Sequence, residues 1–495
     1  MTALIILMIV VFLIVIAIQV GKVNELAGRI RGEEETFYQG NDRTGLWLFI
    51  FMILFLFGCV ASAWYYKDVM LGYGPLKAAS AHGDSLDSLF NVTLFFTGIV
   101  FIVTQYLLFW FSYKYRAQKG RKAYFFPHNT NLEIIWTVIP AIVMTYLVVK
   151  GLVVWNTVMP DVDPNATDYM EIEATGYQFA WDIRYPGADG KLGTRNFTEI
   201  NPASNPLGQV WTDVKNHDDF IPSEIVLPKG QKVRVRITAK DVLHNFYLPH
   251  FRVKMDAIPG LPTYFIFTPI KTTEEFRQEL RKYPEWQQPY DPTEPDGLKR
   301  WEDFNYELAC AELCGEGHYS MKKLVKIVEQ DEYDAWLAEQ NSYYLANIRE
   351  SDADPFKGQL LDVDVRSRNQ ELTSAFEDAD EGGIIQLKNV FFNTGSATLK
   401  DDSRFELSKV AELMNKYASM KIEVGGHTDS QGDDNANMSL SVSRAQSVLD
   451  YLVANGVSVE RLVSKGYGEL NPAADNETPE GRKQNRRTEL KILSK

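Results

Sequence analysis

Cysteine is scarce: the 495-residue chain has three, Cys59, Cys310 and Cys314, which rules out a disulfide-built scaffold. No Cys-x-x-Cys-His occurs, so the chain carries no attached c-type haem. Basic residues are outnumbered, 51 Lys and Arg against 65 Asp and Glu, for a net charge of −14. A general nucleic-acid binder needs a basic face for phosphates, and this balance argues against one. Charge is also missing locally, because several stretches of the first third hold almost none.

Ala3–Val20 (18 residues), Gly45–Tyr66 (22) and Ser88–Tyr113 (26) carry no charge, and Ile134–Trp155 (22) carries only Lys150 near its far end. At about 1.5 Å per residue, each is long enough to cross a hydrocarbon core of roughly 30 Å as a helix. The first run lacks a basic n-region and a small-residue cleavage site, and no cysteine follows it for lipidation, so it reads as a retained helix. Lys114, Arg116, Lys119, Arg121 and Lys122 cluster between the third and fourth runs and mark a cytoplasmic loop. Lys22, Arg29, Arg31 and Arg43 follow the first run but are diluted by Glu33, Glu34 and Glu35, and the loop Lys67–Asp87 is less basic. Both termini are then expected outside the cytoplasm, with everything after Trp155 exported. Cys59, inside the second run, is expected to be a packing residue.

After Pro160 the pattern changes to short alternating runs, Met170–Ala174, Glu224–Leu227, Lys232–Thr238 and Leu324–Val328, with Pro and Gly between them. These predict strands of a small β-sandwich or barrel. Within this region stands Cys310-Ala-Glu312-Leu-Cys314-Gly-Glu-Gly-His318-Tyr-Ser-Met321. Two thiols, an imidazole and a thioether form the soft ligand set that copper selects. His244, in Asp241-Val-Leu-His244, offers a second imidazole from a separate segment. Two coppers sharing two thiolates, each with one histidine, would use Cys310, Cys314, His244 and His318 completely, whereas a single blue-copper site would leave one thiol free. A Cys310–Cys314 disulfide is the plainest alternative for an exported pair, but His318 and Met321 at such close intervals weaken it. Zinc also accepts two cysteines and two histidines, yet it gives Met321 no role. His217 and His250 have no such company and are expected at the surface.

Residues 88–330 resemble subunit II of a haem–copper cytochrome c oxidase. The resemblance is carried by His128-Asn-Thr-Asn-Leu-Glu133-Ile-Ile-Trp136-Thr-Val-Ile-Pro140-Ala, Gly176-Tyr-Gln178-Phe179-Ala-Trp181, Asp241-Val-Leu-His244, Asp256-Ala-Ile-Pro259-Gly260 and the Cys310–Met321 loop, in the family order. It implies a transmembrane hairpin (88–159; spans 88–113 and 134–155) followed by a cupredoxin-like β-barrel (160–330) holding a binuclear CuA centre. Cys310 and Cys314 would bridge two copper ions, His244 and His318 would bind one each, and Met321 and the carbonyl of Glu312 would be weak axial ligands. The Glu312 side chain would point to a magnesium site shared with subunit I. Glu133 matches the mouth of the family's proton channel, although a helix-cap acid is the simpler role for it. The implied activity is electron transfer from a c-type cytochrome to the haem of subunit I, which reduces oxygen to water and pumps protons. Haems would lie only in partner subunits.

Three departures bear on the electron donor. Phe179 replaces the tryptophan that receives electrons in the family, which leaves the retained Trp181 as the expected point of arrival. Leu261 follows Pro259-Gly260 where an arginine is common, and Lys271–Arg300 reads as an insertion, rich in charge and partly helical. Residues 160–330 hold 27 acidic and 20 basic residues, net −7, too modest by itself to identify a basic cytochrome as donor. A cytochrome domain within a stable supercomplex is the donor these departures suggest.

Residues 331–383 read as a helix (Gln330–Asn347) and then an acidic tether, Glu350–Gly383, which as a flexible coil would span roughly 30 Å. Residues 384–495 alternate again. Strands are expected at Ile384–Phe392, Met420–Gly425 and Arg487–Leu493, and helices at Asp402–Tyr417 and Ser441–Asn455, as an α/β sandwich. Asp429 at a strand end and Arg444 early in a helix can face a ligand with both an ammonium and a carboxylate. The segment Ile385–Leu493 resembles the OmpA-like peptidoglycan-binding domain, through Phe391-Phe-Asn-Thr-Gly-Ser, Gly426-His427-Thr428-Asp429, Asn437, Arg444, Gly466-Tyr-Gly-Glu and Gly481-Arg482-Lys-Gln-Asn485-Arg486. That resemblance implies that Asp429 and Arg444 hold the diaminopimelate of the wall peptide, supported by Thr428, Asn437, Arg482 and Arg486, with His427 structural.

The expected protein is therefore a multi-pass protein of the inner membrane of a Gram-negative-type bacterium, with transmembrane α-helices, a cupredoxin-like β-barrel and an OmpA-like α/β sandwich in the periplasm. Its expected partners are subunit I and other oxidase subunits, a c-type cytochrome, peptidoglycan and membrane lipid, and no nucleic acid. A structural wall anchor without its own electron-transfer role is the rival. Residues 1–87 add two helices whose role the sequence does not reveal.

Overall fold

A computed structural model describes residues 2–66, 77–163 and 166–495; residues 67–76 of the expected Lys67–Asp87 loop lie outside them. The chain divides into two compact units. The first takes the residues up to Pro186, Gly190–Leu192 and Ile221–Gln340.

It opens with four long helices, α1 (Thr2–Arg31), α2 (Glu33–Tyr65), α3 (Gly83–Lys114) and α4 (Thr130–Val158). Each coincides with one of the four apolar runs and is long and apolar enough to cross a membrane. Many of their described large apolar side chains are exposed, as lipid-facing helices require. The rings of Phe49, Trp110 and Tyr113 join α2 to α3, and Asp42 pairs with Arg116 at 2.6 Å. At the start of α4 the Asn129 side chain accepts the Leu132 N–H at 3.1 Å, an N-cap.

The strands that follow are β1 (Tyr169–Tyr177), β2 (Ala180–Arg184), β3 (Ile225–Pro228), β4 (Lys232–Ala239), β5 (His244–Leu248), β6 (Val253–Ala257) and β7 (Thr263–Phe267). After them come helices α5 (Thr273–Leu280) and α6 (Arg300–Asp303), strands β8 (Tyr306–Cys310) and β9 (Lys322–Val328), and helix α7 (Gln330–Ala338). They form sheets ordered β2-β1-β4-β7 and β3-β9-β8-β5-β6, the expected sandwich. Alternation sets the faces: in β4, Val233, Val235, Ile237 and Ala239 are buried while the residues between them are partly exposed. In β8 the same alternation buries Tyr306, Leu308 and Cys310.

The barrel is fastened to the helical hairpin. The Ala79 N–H donates to the His250 carbonyl at 2.8 Å, the Ser80 hydroxyl to the Phe251 carbonyl at 2.6 Å, and Arg252 pairs with Asp87 at 2.7 Å. The insertion is folded: Thr272 and Glu275 form a capping box at α5, and Phe276 and Leu280 are buried. His250, expected at the surface, instead lies among Phe276, Phe304 and Tyr306. Burial there pushes its imidazole pKa down to about 4.

The second unit comprises Gly187–Asp189, Gly193–Phe220 and Asn341–Lys495. Its elements are α8 (Tyr343–Asn347), α9 (Asp362–Asp378), β10 (Ile384–Leu387), α10 (Arg404–Lys416), β11 (Lys421–His427), α11 (Asp434–Ala454), β12 (Leu462–Gly468), α12 (Pro479–Asn485) and β13 (Thr488–Ser494). The sheet order is β10-β13-β11-β12, so β12 is a strand beyond the three expected.

Several expectations fail here. The single helix Gln330–Asn347 is two helices, because Ser342 caps a new one by accepting the Leu345 N–H. The stretch expected as an acidic tether carries α9, which buries Leu372 and Phe376 in the core formed by α10, α11 and the sheet. Arg368 of α9 pairs with Glu406 at 2.6 Å, both side chains buried. His217, also expected at the surface, is buried and stacks on Tyr344 with centroids 4.2 Å apart. It belongs to a small cluster in which Trp211 packs on Tyr343 and Tyr344.

Candidate metal centre and candidate wall-ligand site

Sheet register brings the metal ligands together. Phe246 of β5 lies opposite Cys310 of β8, so His244, two residues earlier, shares its face and sits diagonally from Cys310. The His244 Nδ1 is 3.9 Å from the Cys310 sulfur. The sulfurs of Cys310 and Cys314 are 3.9 Å apart and unbonded, which excludes the disulfide in this structure. The Cys314 sulfur is 3.6 Å from the His318 Nδ1 and 3.8 Å from the Met321 thioether. The Glu312 carbonyl lies 3.2 Å from the Cys310 sulfur, while its side chain is exposed. All the sequence-predicted copper ligands thus converge on one place.

The surroundings suit a metal. His244 is fully buried, and Cys310, Cys314 and Met321 are buried beside it. Burial, then the neighbouring Cys310 thiol, pushes the Cys314 pKa up to about 11. Two close thiols resist ionising together without a cation, so metal binding must release their protons. Asp241 accepts a hydrogen bond from the His244 Nε2–H at 2.8 Å, which fixes the tautomer with its lone pair on Nδ1, toward the sulfurs. The only sequence sign of that partner is an acid three residues before a ligand.

In the second unit, Thr428 and Asp429 follow β11, and both are buried. Asp429 pairs with Arg486 and accepts the Gln431 N–H at 3.2 Å. The Asn437 amide donates to the Asp429 carbonyl at 3.3 Å and to Glu469 at 2.9 Å. Arg444 lies over the Phe392 ring and donates to the Ser396 carbonyl at 3.1 Å. Its pKa is lowered by burial and then by Arg486, with Asp429 opposing, so the three charges feel one another. Arg482 differs, donating to the carbonyls of Asn476 and Glu477. His427 is buried, stacked on Tyr467 and 3.2 Å from Glu489.

An alternative cytochrome c oxidase subunit 2 of Bradyrhizobium diazoefficiens is 31% identical over 284 residues, covering 57% of this chain and 86% of that relative. The chain belongs to the cytochrome c oxidase subunit II family. Residues 70–154 match the family described as cytochrome C oxidase subunit II, transmembrane domain, and residues 170–273 its periplasmic domain. Residues 391–486 match the OmpA family. The chain is thus a subunit of an oxidoreductase complex with an OmpA domain at its carboxy-terminal end. Similar solved structures include the periplasmic domain of subunit II of cytochrome oxidase (CoxB) of Bradyrhizobium japonicum, 25% identical, TM-score 0.21, covering 36% of this chain and 93% of that one. Another is the periplasmic domain of Helicobacter pylori MotB, 27% identical, TM-score 0.22, covering 24% of this chain and 86% of that one.

The remaining candidate residues of this subunit II fall differently. Trp181, expected to receive electrons, is only 2% exposed, with its ring against His244 and Phe246. A docked partner cannot touch it; the exposed aromatic of that turn is Phe179. Glu133 sits in the first turn of α4, where its carboxylate faces the Asn129 N–H at 3.4 Å, the geometry of a helix-cap acid.

Proposed function

We propose that His244, Cys310, Cys314, His318, Met321 and the Glu312 carbonyl hold two copper ions, making this chain the electron-accepting subunit of its oxidase. The observation that carries this reading is the convergence of two unbonded thiols with two imidazoles and a thioether. Bound there, the copper pair would accept one electron at a time from a c-type cytochrome for delivery to the haem of subunit I, where oxygen is reduced with proton pumping. The protein's part is to exclude water from the sulfurs, to hold His244 in the ligating tautomer through Asp241, and to present Phe179 on the outside. The exposed Glu312 carboxylate is assigned to magnesium at the subunit I contact, and Glu133 to the mouth of the proton channel.

The donor in this reading is a c-type cytochrome held in a stable supercomplex. Consistent with a docked partner, large apolar side chains next to the ligands are exposed, Leu243, Leu313 and Tyr319 among them, as at protein contact sites. Detergent purification should bring a haem-c protein with the oxidase; an oxidase that always comes away alone, and is reduced rapidly by soluble cytochrome c, would count against it.

The second unit is proposed to bind peptidoglycan, Asp429 taking the ammonium and Arg444 the carboxylate of diaminopimelate, with Thr428, Asn437 and Arg486 beside them. On this reading the protein sits in the inner membrane of a Gram-negative-type bacterium, with the cupredoxin-like barrel and the second unit in the periplasm. Met321→Leu separates electron transfer from mere anchoring: copper should be retained while turnover falls. Unchanged turnover would favour the wall anchor.

A further inference from the structure

The turn joining β1 to β2 lies against both segments that carry the metal ligands. At Gly176 an added Cβ would stand 3.0 Å from the Trp181 ring and 3.1 Å from the His244 ring, so a side chain there would crowd both. Two residues on, the Gln178 backbone N–H donates to the Asp241 Oδ2 at 2.8 Å, while the other oxygen of that carboxylate holds His244. The Gln178 side-chain amide donates to the Cys314 carbonyl at 2.5 Å. One residue therefore grips the His244 segment through Asp241 and the thiol loop through Cys314.

The loop needs such a grip. Its ladder with β5 ends where the Ala311 N–H reaches the Asn245 carbonyl at 3.3 Å, and Cys314 and His318 lie beyond that point. Gly315 follows Cys314 at φ +133°, a conformation that favours glycine. An added Cβ there would meet the Gln178 amide and the Phe179 ring at 3.0 Å. At Gly317 it would come within 2.5 Å of the Phe179 ring. The turn is thus seated on the two glycines of the thiol loop, and the Gln178 amide is the polar tie between them.

We infer that Gln178 is a positioning residue that holds the Cys314 side of the loop at its working distance from His244 before metal arrives. This rests on the copper reading above. The donor is what matters: methionine keeps length and volume without an N–H, and glutamate places a second acceptor against the Cys314 carbonyl. The side chain is exposed, so its loss should leave the barrel's stability little changed.

The test uses the full-length chain in detergent, as wild type, Gln178→Met and Gln178→Glu, loaded with copper(II). Release of copper to a chelator, the EPR spectrum, and thermal unfolding of the copper-free proteins are measured. Release should be about 10- to 100-fold faster for Gln178→Met, faster still for Gln178→Glu, with altered copper spectra and an unchanged unfolding temperature. If Gln178→Glu does not fold, Gln178→Met decides. Equal release from all three proteins, with copper in the wild type, overturns the positioning role and leaves the copper reading standing. Faster release that merely tracks a lower unfolding temperature also overturns it, and a wild type that takes up no copper overturns both.

Discussion

The His244 Nε2–H donates to Asp241 at 2.8 Å while its Nδ1 faces the Cys310 sulfur at 3.9 Å. The acid therefore decides which nitrogen is free to ligate, without itself touching the metal position. Asp241→Ala should lower copper affinity about 10- to 100-fold, the usual cost of losing a ligand's outer partner. A competition titration against a chelator reads this directly, and an unchanged affinity would mean that packing alone orients the ring.

At the candidate wall-ligand site, Asp429 and Arg444 are the proposed partners of a zwitterionic ligand, whereas Arg482 is occupied by two loop carbonyls. Asp429→Ala and Arg444→Ala should abolish retention of the protein on purified sacculi, and Arg482→Ala should weaken it far less. Equal retention of wild type and Asp429→Ala would sink the peptidoglycan assignment.

Helix α9 is part of a folded core. Leu372 is fully buried in it, so Leu372→Ala should cost about 2–5 kcal/mol. Arg368→Ala would strand the buried Glu406 carboxylate and should cost about 3–5 kcal/mol. Denaturant unfolding of the carboxy-terminal unit is the readout. An extended tether would show neither loss.

How the sequence hid α9 is instructive. Its inward stripe runs Val363, Arg368, Leu372, Phe376, and the arginine interrupts the apolar period while serving as half of a buried ion pair. Strand β12 was missed for a related reason: Leu462–Gly468 has a lysine, two glycines and a mixed burial pattern, so no period-2 signal stands out. Ile384–Phe392 reads as one strand, but pairing stops at Leu387. The strands that carry His244 and Cys310 emerge only in the structure, but the four membrane helices, strands β1, β3, β4 and β9 and the Cys310–Met321 loop were legible, because a long apolar run, period-2 alternation and a ligand-rich loop need no tertiary context. His217 and His250 were not, since their burial depends on aromatic partners far away in sequence. The burial of Trp181 was no more legible, because an aromatic at a functional turn can face either way.

Glu489 makes a pH prediction. The His427 imidazole beside it, and then Arg487, lower its carboxyl pKa from 4.5 to about 2. A depressed acid stabilises the fold fully above its unfolded value, and that contribution fades as pH falls from 4.5 toward 2. Glu489→Gln should flatten stability against pH in this window. A slope equal to the wild type's would place the acid sensitivity in other carboxylates.

The central claim is a binuclear copper site, and low-temperature EPR of the copper-loaded protein addresses it most directly. The full-length chain is the right sample, because Gly193–Phe220 packs with the second unit and a fragment cut after the barrel would strand it. One electron shared equally by two copper nuclei gives seven hyperfine lines, which is the predicted spectrum. Four lines would contradict the account and indicate a single copper, and a silent sample with zinc bound would leave the wall anchor as the better description.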